Sequence, residues 1–284
     1  SLIAHLVGVA YIHSVYQAVM PVLKNDTIIK FYDFHGVVPE ELLFMERSGE
    51  AKYYNEYERE LVLNADYIIV ANHAMEKHIV TKYPTCVSEF IVMPMNNDDN
   101  NYKVSPGSEN LINSKPIVIY SGGLQKWQLI SEMQDAISKL GNECEFHLYV
   151  PDVNGFMQLW GERKKPDVWE VATKTPEELK EEYTKAQYGF VLRNDIVVNR
   201  VACPTKIIDY IKYGIIPIMK FTEIGDFGKY GINYISLDDF LNGIFPTEDK
   251  RLEMCYNNLK VLENILGEYE TGRDKVKNII KEIL

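Results

Sequence analysis

The 284-residue sequence is short of several things, and each absence narrows the range of functions. Its four cysteines, Cys86, Cys144, Cys203 and Cys255, are scattered, with no paired spacing for a zinc site or a disulfide framework, which fits a reducing cytosol. No apolar run reaches the length of a membrane span and no signal peptide is visible. The cytoplasm is therefore the expected location, with peripheral contact at the inner face of the membrane left open. Positive charge is scarce: 30 lysines and arginines stand against 41 acidic residues, a net charge of -11, which argues against nucleic-acid partners. The fingerprint G-x-G-x-x-G is nowhere present, which counts against a nucleotide-dependent dehydrogenase. No Asp-x-Asp pair occurs and the histidines form no ligand-spaced cluster, so no metal and no other cofactor is expected.

What is present is concentrated between Arg193 and Tyr210. An apolar run, Tyr188–Leu192, reads as a buried strand and ends at Arg193. A helix opened by Pro204 and closed by Gly214 follows, since proline is preset for a first helical position and glycine for the stop. A helix N-terminus offers unpaired N–H groups and partial positive charge, which suits an anion. Thr205, Lys206 and Arg193 reinforce that end, and Asp209 lies one turn on, on the face of Lys206. Cations for a phosphate and a carboxylate for a sugar hydroxyl suggest a nucleotide-sugar site. Taken alone, the Lys–Asp pair also fits an ordinary solvated ion pair.

Apolar strand-like runs alternate with amphipathic helical patterns along the chain, as in a parallel sheet covered by helices. In the first third the expected strands are 7–12, 27–32, 67–71 and 90–93, with helices over 53–64 and 74–82. The polar, breaker-rich stretch from Asn96 through Ser108 reads as a linker. A second α/β unit begins at Pro116, with strands at 117–120, 145–150, 168–172, 188–192 and 215–219. A helix is expected over 127–140, and Thr175 with Glu178 makes a capping box ahead of another. Ser121-Gly122-Gly123-Leu124-Gln125-Lys126 sits at a strand-to-helix turn, where adjacent glycines let the backbone approach a phosphate and Lys126 adds charge; a tight turn that needs glycine for its geometry explains them equally well. Asp33-Phe34-His35-Gly36 ends a strand, where ligands bind in open α/β sheets, and His35 there can move a proton or meet a developing charge. A structural Asp–His hydrogen bond is the plainer alternative. His13 also ends a strand and is a weaker candidate.

These segments together resemble glycosyltransferase family 4, in particular its capsular and exopolysaccharide members. The resemblance rests on Tyr32–Gly36 with Pro39-Glu40-Glu41, on Ala65–Val70, on Tyr120–Gly123 and on the Arg193–Tyr210 segment. It implies an α/β chain with the GT-B fold, two Rossmann-like domains: residues 1–95 as what remains of the acceptor-side domain, 96–115 as linker, and 116–284 as the nucleotide-sugar domain with its C-terminal helices. It also implies metal-independent transfer, with retention, of a sugar from a nucleotide-diphosphate donor to a glycan or lipid-linked acceptor. By position, Gly122, Gly123 and Lys126 would lie along the diphosphate and Arg193 and Lys206 would neutralise it. Pro204, Thr205 and Asn199 would complete the donor site, and His35 would reach the sugar or the acceptor from the other domain. Asp209 stands where the family has a ribose-binding glutamate, and Val201 stands where it has a glutamate near the transferred sugar. The family begins with further βα units for which there is no room before Leu2, so the N-terminal domain is expected to be incomplete, or completed by a partner chain or a second copy. The alternative reading is a nucleotide-sugar-binding module that turns over only with such a partner.

Overall fold

The computed structural model describes residues 8–18, 20–96 and 115–283, so the expected linker lies outside the described residues except at its two ends. The chain runs β1 (Val9–Ile12), a 3-10 turn (Val15–Gln17), α1 (Met20–Leu23), β2 (Ile29–Phe34), α2 (Val38–Phe44), α3 (Ser48–Asn64), β3 (Tyr67–Val70), α4 (His73–Lys82) and β4 (Glu89–Val92). It continues with β5 (Ile117–Ser121), a 3-10 turn (Lys126–Gln128), α5 (Ile130–Lys139), β6 (Glu145–Tyr149), α6 (Val153–Trp160), β7 (Trp169–Ala172), α7 (Pro176–Tyr183) and β8 (Tyr188–Val191). The remainder is α8 (Val197–Arg200), α9 (Thr205–Lys212), β9 (Ile216–Met219), β10 (Ile235–Ser236), α10 (Leu237–Leu241) and α11 (Glu248–Ile283).

Two parallel sheets result, with strand orders β1-β2-β3-β4 and β10-β9-β8-β5-β6-β7. In the C-terminal sheet alternate residues serve opposite faces, as the two-residue strand period requires. Val118, Tyr120, Phe146 and Phe190 pack under Met133 and Ile137 of α5 and Trp160 of α6. Ile119, Val191 and Met219 pack under Ile207, Ile208 and Ile211 of α9 and under the first half of α11. The chain lays down β5, β6 and β7 in one direction and then returns to place β8 on the other side of β5. That reversal opens a crevice between the loops that follow β5 and β8, the usual ligand position in such sheets.

α11 joins the two halves. At about 1.5 Å per residue its 36 residues span about 54 Å. Val261, Leu262 and Ile265 belong to the C-terminal core, whereas Val276, Ile279 and Ile280 cover Phe31, Ile69 and Ile91 of the N-terminal sheet. Gly272 is needed at the crossing, because a Cβ there would stand 2.3 Å from the carbonyl oxygen of Val92. No helix among the described residues is long and apolar enough to cross a membrane.

The expected strands all form, with ends shifted by one or two residues, and the capping box at Thr175 is present with both of its hydrogen bonds. Two expectations need correction. The helix expected over 127–140 is broken at Leu129, which takes a left-handed conformation (φ 51°) between the 3-10 turn and α5. Pro204 does not occupy the first turn of α9; it precedes it in an extended conformation (φ -69°, ψ 113°).

Candidate functional site

Two buried cations meet at the crevice of the C-terminal sheet. Lys206 is 8% exposed, at the first turn of α9, and Arg193 is 6% exposed, just past β8. The Lys206 ammonium donates to Gln128 Oε1 at 3.0 Å and lies over the Tyr120 ring, 4.2 Å from its centre. Arg193 Nη1 donates to Asn199 Oδ1 at 3.1 Å, while its buried Nε has no partner. Among the described residues neither cation is paired with a carboxylate. Burial first, and the nearby Arg193 second, hold the Lys206 ammonium well below the usual lysine value. Burial brings the Arg193 guanidinium down to about 10. No side chain caps the N-terminus of α9, so its end donors add to the same field.

The backbone around this pair is fitted closely. Gly122 has φ 154°, donates its N–H to the Tyr149 carbonyl at 3.1 Å, and a Cβ on it would stand 3.0 Å from Lys206 Nζ. The Tyr120 hydroxyl donates to the Gly123 carbonyl at 2.5 Å, fixing the turn after β5. Tyr210 of α9 is tied to that turn through its hydroxyl, which accepts the Ser121 N–H at 3.3 Å. Its ring occupies the space that a Cβ on Gly189 would fill, 2.4 Å away. Glycine in β8 thus lets α9 sit down on the sheet and aim Lys206 at the crevice.

The opposite wall comes from the N-terminal sheet. A cavity of about 190 Å3 between the two halves is lined by His35, Glu41, Trp127, Arg193, Cys203 and Pro204, among others. His35 follows β2 and its Nε2 lies 2.8 Å from Asp33 Oδ2. Glu41 is half-buried, and burial together with the adjacent Glu40 pushes its carboxyl above the ordinary range. The halves are tied nearby: Asn72 Nδ2 donates to the Val201 carbonyl at 2.9 Å, and the Asp226 carboxylate accepts the N–H groups of His73 and Ala74 at the start of α4.

No family profile matches the sequence, and no curated protein matches it. Solved structures do. HepE of Anabaena, determined with UDP-glucose, superposes with a TM-score of 0.71 at 11% identity, over 98% of this chain and 80% of that one. Sucrose-phosphate synthase of Thermosynechococcus elongatus gives 0.65 at 14% identity, over 97% and 73%. A glycosyltransferase of Rickettsia africae gives 0.64 at 16% identity, over 99% and 79%. This chain has the GT-B fold. At these identities the likeness is one of fold.

Within the GT-B frame, the expected site residues separate into groups. Arg193, Pro204 and His35 line one cavity, Gly122 lies against Lys206, and Gly123 and Thr205 adjoin these residues in the chain. Asp209 is half-buried one turn further along α9, near enough to Tyr183 to add to the rise that burial causes in that hydroxyl. Asn199 is not presented to a ligand: it is fully buried, its oxygen accepts from Arg193 and its nitrogen donates to the Asn194 carbonyl at 2.9 Å. It positions the guanidinium. Lys126 turns away from the glycines and pairs with Glu46 Oε1 of the N-terminal half at 3.0 Å, over the Phe44 ring. Arg200 is engaged by Asp195, and Val201 is buried against the N-terminal core.

The linear spacing missed Gln128 and Tyr120, which hold Lys206, and Glu41 and Trp127, which line the cavity. It also missed that His13 and His35 meet, 2.9 Å apart, beside Asp33. The signal was available: both histidines directly follow runs that read as neighbouring parallel strands.

Proposed function

We propose that this chain is a glycosyltransferase that moves a sugar from a nucleoside-diphosphate donor to a glycan or lipid-linked acceptor, without a metal at the diphosphate. The observation that carries it is the pair of buried cations, Lys206 and Arg193, with no carboxylate partner among the described residues and a buried Arg193 Nε that has no hydrogen-bond partner. Such a pair is costly in the folded protein unless an anion completes it. A diphosphate fits: it is anionic before transfer and gains charge as the sugar leaves. Cations and helix N–H groups already aimed at that charge stabilise it more as it develops. The Gly122–Gly123 turn gives the phosphate oxygens close access to backbone, and Asp209 is the carboxylate offered to the ribose.

His35 is the group on the opposite wall that meets the sugar or the incoming hydroxyl. The cavity of about 190 Å3 is smaller than the roughly 300–1,000 Å3 of sites for whole drug-sized ligands. It suits the sugar end of the donor, with the nucleotide extending along the C-terminal half. Retention of configuration at the transferred carbon is part of the same proposal, and the anomeric coupling constant of the product reads it directly.

Anabaena HepE was solved with UDP-glucose and also with UDP and glucose, so UDP is the first nucleotide to try. Melting curves of the chain with UDP, GDP and ADP and their sugar conjugates, all in excess EDTA, test the proposal. A nucleotide at a hundredfold excess over its dissociation constant stabilises the native state by about 2.7 kcal/mol. One of these ligands is expected to raise Tm in EDTA. No response to any of them, or a response restored only by manganese, would sink the proposal.

A further inference from the structure

At the carboxyl ends of β1 and β2 three ligand-type atoms converge outside the cation pair. His13 Nδ1 lies 2.9 Å from His35 Nε2, His35 Nε2 lies 2.8 Å from Asp33 Oδ2, and His13 Nδ1 lies 3.6 Å from the same oxygen. The parallel register places Ile12 beside Tyr32, so His13 and Asp33 come next to each other as the strands end, with His35 two residues on. The Tyr11 hydroxyl donates to Asp33 Oδ2 from below and fixes the carboxylate.

Each of the three residues offers one ligand atom, and the three atoms lie close together. With both histidines neutral and their facing nitrogens unprotonated, all three are acceptors, and a cation satisfies all three. The point equidistant from the three atoms, raised about 1 Å from their plane, is about 2.1 Å from each, the usual zinc contact to histidine nitrogen and carboxylate oxygen. Asp33 is 11% exposed in its side chain, whereas His13 and His35 are 57% and 38% exposed, so the ligand set is anchored on one side and open to water on the other.

We propose that His13, Asp33 and His35 form a three-ligand site for a divalent transition ion. Two imidazoles and one carboxylate favour zinc, cobalt, nickel or copper over magnesium and calcium, which take oxygen ligands. Among the described residues two other histidine–carboxylate triads have carboxylates more heavily engaged by partners. In His73–Asp226–Glu268 the Asp226 oxygens already accept two backbone N–H groups. In His147–Glu170–Glu182 the carboxylates are already paired with Lys174 and Lys185. His35 also lines the cavity that Arg193 lines, whereas His13 and Asp33 take no part in the diphosphate proposal, which holds the nucleotide without a metal and so is compatible with binding in EDTA.

The test uses the full 284-residue chain, stripped with EDTA and dialysed free of it. Zinc is titrated calorimetrically, and cobalt is added in parallel to record its visible d–d absorption. One equivalent is expected to bind, with proton release, because the ligands must be deprotonated. His13→Ala is expected to weaken zinc by roughly 10–100-fold or more and to abolish the cobalt bands, since loss of even an outer-shell partner has effects of that size. His13 is largely exposed, so the variant should keep the wild-type far-UV circular dichroism; Asp33→Asn provides a second ligand variant if it does not. Lys206→Ala should bind zinc as the wild type does. Absence of saturable zinc binding to the wild-type chain would overturn the proposal. So would equal zinc affinities in wild type, His13→Ala and Asp33→Asn.

Discussion

On the C-terminal side of the cleft stand two cations, each more than nine-tenths buried, held by a glutamine, an asparagine and an aromatic ring. On the N-terminal side stand two half-open histidines gathered on one buried aspartate. Both clusters sit at the carboxyl ends of parallel strands, yet their physics differs. The cation pair is preformed and under-compensated, so its missing partner has to come from outside the chain and has to be anionic. The histidine–aspartate group gathers three ligand-type atoms and is open to water, so its missing partner is a cation. One wall is built for a fixed negative charge and the other for exchangeable positive charge. The fold brings them across one cavity, and the sequence keeps them 158 residues apart between His35 and Arg193.

The comparison breaks most sharply at Lys206. Lys206→Ala should weaken binding of a nucleoside diphosphate by about 1.5–3 kcal/mol, the range for a hydrogen bond to a charged group, while leaving zinc affinity unchanged. Calorimetry with both ligands on one preparation checks this, and a parallel loss of both would show that the two walls are not independent. A smaller effect is expected from Gly189→Ala. The added methyl would meet the buried Tyr210 ring at 2.4 Å, and overpacking of this kind costs roughly 1–3 kcal/mol of stability. Because Tyr210 seats α9, the variant should melt lower and bind nucleotide less tightly, again with zinc unaffected. A variant that melts lower but binds nucleotide as well as the wild type would mean that α9 does not depend on this contact for its aim.

Much of this was legible in the sequence. Apolar runs and helical spacing fixed the order of strands and helices, because the two-residue and 3.6-residue periods of burial are written locally. Thr175 with Glu178 announced its helix start for the same reason. The part of the site on one segment, Arg193 to Lys206, was also readable. What was not readable depended on pairs distant in sequence. Lys126 has the charge for a phosphate, but it pairs with Glu46, a residue of the N-terminal half far from it in sequence. Asn199 has the chemistry of a sugar ligand, but it is consumed in holding Arg193. His13 and His35 look unrelated until β1 and β2 are known to be neighbours in register.

The central claim, that the buried cations await an anion, is tested most directly by the melting temperature of Lys206→Met with and without UDP in EDTA. Burial lowers the folded-state pKa of Lys206 below its unfolded value. Between those two values the unfolded chain holds a proton that the folded chain lacks, so wild-type stability rises with pH across that window and carries the full penalty below it. Methionine has a similar length and no charge. The unliganded variant should therefore melt above the wild type at neutral pH, with the difference shrinking as pH approaches the ordinary lysine value, and UDP at one concentration should raise Tm less in the variant than in the wild type. A variant that melts no higher than the wild type and responds to UDP to the same extent would contradict the account.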